Sequence, residues 1–106
     1  MRIILHNDDT LHGFDSARTL AEEVLHKEIK GRMREMLTRV EIWVADENAD
    51  KGGPDDKRCT MEAHPRGRKP VGVQARAADI PAALCAAAKK LARALGRELR
   101  LGVVRK

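Results

Sequence analysis

Arg39-Val40-Glu41-Ile42-Trp43-Val44-Ala45, residues 39–45, is where the chain changes period. Val40, Ile42 and Val44 fall on one side and Glu41, Trp43 and Ala45 on the other, so the spacing predicts a half-buried strand. The residues before it keep a different rhythm. Ala17, Leu20, Ala21, Val24 and Leu25 recur at helical spacing. Glu28 turns towards the apolar side, and Gly31 sits inside the pattern at a cost of about 1 kcal/mol relative to Ala. These features predict a helix over 14–36 that kinks or ends near Gly31. Residues 2–6 (RIILH), closed by Asn7-Asp8-Asp9, read as a short strand ahead of it.

Working downstream, Cys59, Met61 and Ala63 alternate with Arg58, Thr60, Glu62 and His64. Pro65-Arg66-Gly67-Arg68 supplies a turn, and Val71, Val73, Ala75 and Ala77 alternate again, which completes an antiparallel meander. Asp79 is placed as an N-cap with Pro81 in the first helical turn. Leu84, Ala87, Ala88, Leu91, Leu95 and Leu99 then mark the apolar side of a C-terminal helix. The order is β-α-β-β-β-α, an α+β fold. A strand, a helix and a return strand normally form a right-handed parallel unit, so the first two strands should be parallel. Both helices would pack on one face of a four-stranded mixed sheet and leave the other face open. The chain of 106 residues reads as one domain, 1–106, of a size that buries roughly two-thirds of the unfolded surface.

The formal charge of +5 is unevenly placed. Residues 1 to 60 carry ten Lys/Arg against thirteen Asp/Glu, and residues 61 to 106 carry eleven against three. A basic C-terminal part of this kind suits a polyanionic partner. Its densest feature is a stripe on the C-terminal helix. At 100° per residue, Lys89, Lys90, Arg93, Arg97 and Arg100 span roughly 100° of arc beside the apolar side. Glu98 is the only carboxylate after Asp79, whereas a merely solvated helix gains from mixed signs at i,i+4. Arg66, Arg68 and Lys69 at the hairpin tip extend the surface, as do Lys27, Lys30 and Arg34 near one side of the first helix, where Glu23 opposes them. These eleven residues are the expected RNA contacts. Lys and Arg hold phosphate by charge and, for Arg, by a bidentate fork. With Phe14 and Trp43 the only aromatics besides histidine, base stacking is a poor main mode, and structured RNA fits better. Trp43 itself is read as partly buried against neighbouring strand side chains.

The stretch ADENADKGGPDDKRC, residues 45–59, imitates a calcium loop. Asp46, Asn48 and Asp50 match the first three ligand positions, but Lys51 stands where the sharp turn needs Gly, and Lys57 where the bidentate Glu belongs. It is read as a long hairpin connection facing away from RNA. No metal, cofactor or small-molecule substrate is expected. His6, His12, His26 and His64 are scattered, no zinc spacing joins them to Cys59 or Cys85, and no nucleophile or phosphate-loop motif is present, so an enzyme is not expected. The two cysteines read as free core or near-core thiols of a cytoplasmic protein, with no membrane partner and neither signal peptide nor bilayer-length apolar run.

The segment from Val40 to Leu95 resembles the ribosome hibernation promoting factors and ribosome-associated inhibitors, small bacterial β-α-β-β-β-α proteins. The residues that carry the resemblance are DEN (46–48), KGG (51–53), DKRC (56–59), EAHP-x-G (62–67), and AADI (77–80) followed by AAKKL (87–91). It extends over nearly the whole chain and points to a short form in a divergent branch, since the sequence closes at Lys106 without the dimerisation domain of the long forms. Better-known members open the last helix with an aspartate, an aromatic and an acidic residue, where this chain has Asp79-Ile80-Pro81. The resemblance implies binding to the small ribosomal subunit in the mRNA and tRNA channel, through ribosomal RNA, and inhibition of translation or preservation of idle ribosomes under stress. The alternative from a different class is a protein-interaction module that uses the open sheet face or the acidic loop without ribosome binding.

Overall fold

Strand patterning on both sides of residues 39–45 resolves, in a computed structural model that describes residues 1–7, 14–46 and 57–99, into one mixed sheet. Strands β1 (Arg2–Asn7), β2 (Leu37–Asp46), β3 (Lys57–Pro65) and β4 (Val71–Ala77) lie in the order β1-β2-β3-β4. β1 and β2 are parallel, and the other neighbours are antiparallel, as the β-α-β-β-β-α reading requires. The alternation holds in register: Val40, Ile42 and Val44 are buried opposite Ala63, Met61 and Cys59, which are buried too. Helices α1 (Phe14–Glu28), α2 (Gly31–Met36) and α3 (Ile80–Leu99) complete the chain order, with α1 and α3 closing over that apolar face.

β2 begins at Leu37, two residues before the expected Arg39, and a bulge explains why. Leu37 pairs with Pro65 and Arg39 with His64, which leaves Thr38 as the extra residue. Such an insertion shifts the inward-outward parity by one, so both Leu37 and Val40 point into the core and period two breaks between them. The Thr38 hydroxyl donates to the His64 carbonyl at 2.9 Å and so occupies an acceptor beside the irregularity.

The expected first helix is divided. α1 stops at Glu28, earlier than Gly31, and Ile29 is drawn fully into the core with its N–H still bonded to the Leu25 carbonyl. Gly31 then takes φ +57°, a left-handed conformation that side-chain-bearing residues adopt at a cost, and it opens the short α2. The Arg34 guanidinium closes the break, donating to the carbonyls of Ile29 at 3.0 Å and His26 at 2.8 Å. Cations bonded to the last carbonyls of a helix satisfy acceptors that have no intrahelical partner.

α3 is held at its start as its sequence predicts. The Asp79 carboxylate accepts a hydrogen bond from the Ala82 N–H at 2.8 Å, the N-cap geometry, and Pro81 follows in the first turn. Asp79→Ala should lower stability by about 1 kcal/mol, with Asp79→Asn retaining most of it. The denaturant midpoint of each variant checks this. Along the buried side, Ala83, Leu84, Ala87, Ala88, Leu91 and Leu95 are wholly excluded from solvent, and the run of alanines brings the helix close to the sheet.

Candidate nucleic-acid interface

The side of α3 turned away from the core presents Lys89, Lys90, Arg93 and Arg97, all exposed. Arg100, the fifth residue of the expected stripe, lies outside the described residues. Lys90 is anchored: its ammonium donates to the Gln74 carbonyl on the edge strand β4 at 2.9 Å, which fixes one margin of the stripe against the sheet.

Topology gathers the other predicted cations at one end of the domain. β1 and β2 run in the same direction, so α1 returns the chain to the end where β2 starts; α3, following β4, returns to that end too. Two hydrogen bonds mark the convergence. The Arg66 N–H donates to the Met36 carbonyl at 2.9 Å, and an Arg68 guanidinium N–H reaches the Glu98 carbonyl at 3.3 Å. The tip of the β3–β4 hairpin therefore touches both the end of α2 and the last turn of α3. That tip is a hydrogen-bonded turn, with the Arg68 N–H on the Pro65 carbonyl at 3.3 Å and Gly67 at φ +68°, a position suited to glycine. It leaves Arg66, Arg68 and Lys69 exposed.

Lys27 and Lys30 stand exposed at the same end, while Arg34 is half-buried and its guanidinium is occupied by the carbonyls that it caps. Arg32, exposed on α2, was not among the expected contacts. At 100° per residue a helix carried on past Gly31 sets Arg32 roughly 140° from Lys27, whereas α1 ends at Glu28 and α2 starts at Gly31. The opposite end of the sheet is where Asp46 pairs with Lys57. The acidic stretch between them, with the calcium-loop imitation, lies outside the described residues.

The sheet face away from the helices carries a second set of groups. Trp43, 39% exposed, stacks on the His6 imidazole with ring centroids 4.8 Å apart and planes 9° apart, so it is partly covered by a strand neighbour as expected. The reading of the histidines as scattered needs correction. Strand register brings His6 and His64 to one carboxylate, Glu41, at 3.0 and 3.2 Å. His26 remains alone on α1 in that sense, and His12 lies outside the described residues. Hydrogen bonds from Arg39 and then His6, outweighing the effect of burial, hold the Glu41 carboxyl below the ordinary carboxylate range. Cys59 and Cys85 are free; burial pushes the Cys59 thiol up to about 12, so it carries no nucleophilic thiolate at neutral pH. No described helix is long and apolar enough to cross a membrane.

No family sequence model matches the chain, and no curated protein sequence does. Its fold is shared with solved structures. A ribosomal subunit interface protein from Coxiella burnetii superposes with a TM-score of 0.73 at 17% identity, covering 94% of this chain and 99% of that one. The N-terminal domain of Protein Y from Thermus thermophilus superposes with a TM-score of 0.69 at 20% identity, covering 92% of this chain and 99% of that domain.

Proposed function

We propose that this protein binds the small ribosomal subunit by laying α3 and the basic end of the domain against structured ribosomal RNA, and that it thereby inhibits translation or preserves idle ribosomes. The observation that carries the reading is the placement of exposed Lys89, Lys90, Arg93 and Arg97 on one side of α3, with the cations of the hairpin tip and of α1–α2 at the end where that helix finishes. Lys89–Arg93 and Arg93–Arg97 are like-charge i,i+4 pairs, each of which destabilises a helix by about 0.2–0.5 kcal/mol. Spending stability to concentrate one sign on one surface makes physical sense when a polyanion supplies the countercharge. The shared fold with a ribosomal subunit interface protein supports the ribosome as that polyanion.

In this reading the guanidinium forks of Arg93, Arg97, Arg66 and Arg68 and the ammonium of Lys89 engage phosphate oxygens, which fix position and affinity without reading bases. Lys90, Arg34 and one guanidinium N–H of Arg68, already bonded to backbone carbonyls, hold the surface in shape. The function is non-enzymatic and is carried out in the cytoplasm, where the ribosome is. It is tested by co-sedimentation with purified small subunits over a salt series. About four to five phosphate contacts should give a log–log slope of roughly −3 to −4. A salt-independent affinity would overturn the reading and favour a protein partner on the sheet face.

A further inference from the structure

On the open sheet face Glu41 of β2 and Glu62 of β3 are direct partners across the antiparallel ladder. Like charges in that position repel. His64 lies two residues beyond Glu62 on the same face, and its Nε2 sits 3.0 Å from Glu62 Oε1 and 3.2 Å from Glu41 Oε2. That nitrogen is shielded from solvent, and neither carboxylate is placed to make a hydrogen bond with it. One donor atom from each of the three residues thus falls within 4.8 Å of the other two.

We propose that Glu41, Glu62 and His64 bind one divalent first-row transition ion, with Zn²⁺ as the leading candidate. The inference is independent of the RNA-binding reading, since the residues lie on the face opposite the helices. Two carboxylate oxygens and one imidazole nitrogen are a donor set suited to zinc, and three protein ligands leave a coordination position open. Zinc holds N and O donors at about 2.0–2.2 Å, so neighbouring donors in a tetrahedral shell stand roughly 3.3 Å apart, close to the two separations seen around His64 Nε2. A protonated imidazole has a single Nε2–H, which neither carboxylate is placed to accept. A metal ion accepts electron pairs from all three groups at once.

The surroundings support the ligands. The Thr38 hydroxyl holds the His64 carbonyl at the bulge, and His6 Nε2 lies 3.0 Å from Glu41 Oε1, the oxygen that does not face His64. Arg39 Nε lies 3.0 Å from Glu41 Oε2 and is the cation with which the ion shares that oxygen. Because His6 also stacks on Trp43, occupancy at Glu41 is coupled to the single tryptophan of a chain without tyrosine.

The test is equilibrium dialysis of the full chain against Zn²⁺ at neutral pH, accompanied by Trp43 fluorescence. The expected result is one ion per chain in this site at micromolar zinc, with a change in Trp43 emission. Binding there should be weakened at least tenfold by Glu62→Gln and, separately, by His64→Gln, as loss of a ligand should cost no less than loss of an outer-shell partner. Far-UV circular dichroism verifies that each variant is folded; should His64→Gln unfold the chain, Glu62→Gln decides. No zinc bound by the wild type, or equal binding by a folded Glu62→Gln variant, would overturn the assignment.

Discussion

Changing Lys89, Arg93 and Arg97 together to glutamate should abolish co-sedimentation with the small ribosomal subunit while leaving the domain folded. The three side chains are exposed on α3, and none lies in the core. Their replacement removes like-charge i,i+4 pairs but puts new ones of the other sign in their place, so folding stability should change by less than about 1 kcal/mol. The effect on binding is of another order. Proteins that make about six to ten phosphate contacts lose roughly 10³–10⁵ in affinity merely from a fourfold rise in salt, and reversal of charge turns each of three attractions into a repulsion. Sedimentation of variant and wild type with purified subunits at low and moderate salt measures the difference, and circular dichroism establishes folding. A folded triple variant that still co-sediments would remove α3 from the interface.

The largest single-site effect on stability is expected at Leu91. This residue is fully buried at the middle of α3, in the apolar layer between the helices and the sheet. Truncating a buried leucine to alanine costs about 2–5 kcal/mol, the lost transfer energy plus a cavity term. The alanines flanking it on α3 have no side-chain length with which to refill the gap, so the upper half of that range is expected for Leu91→Ala. Against a total stability of about 5–15 kcal/mol, this is a substantial fraction, and it should lower Tm by roughly 15 °C or more. Urea unfolding followed by circular dichroism should show a lower midpoint with an unchanged slope. A shift below about 1 kcal/mol would mean that Leu91 does not sit in a close-packed layer.

The open-face groups show how far linear pattern carries a site and where it stops. Each of Glu41, Glu62 and His64 was legible as an outward residue of its strand, because alternation needs only neighbours one or two positions away. Their convergence was not, since Glu41 and Glu62 are separated by the whole 47–56 connection and meet only through the register of β2 on β3. The basic end behaves similarly. Lys27 and Lys30 were found as part of one set on the first helix and Arg66, Arg68 and Lys69 as another at the hairpin tip, but the meeting of the two sets at one end depends on the parallel pairing of β1 with β2 and the antiparallel pairing of β3 with β4.

The sequence by itself determined the order of elements, the strand faces, the Asp79 cap and the acid-poor stripe of α3, because each follows from local periodicity or from a contact three residues away. Tertiary structure set the end of α1 at Glu28, ahead of the Gly31 near which the sequence already marks a kink or an end, through burial of Ile29 and the positive φ of Gly31. It alone decided the bulge at Thr38, which lets Leu37 and Val40 both reach the core. It also decided which charges are neighbours. Those outcomes arise from packing and pairing between segments far apart in the chain, where a local preference worth a few tenths of a kcal/mol yields to buried side chains worth about 1.5–3 kcal/mol each.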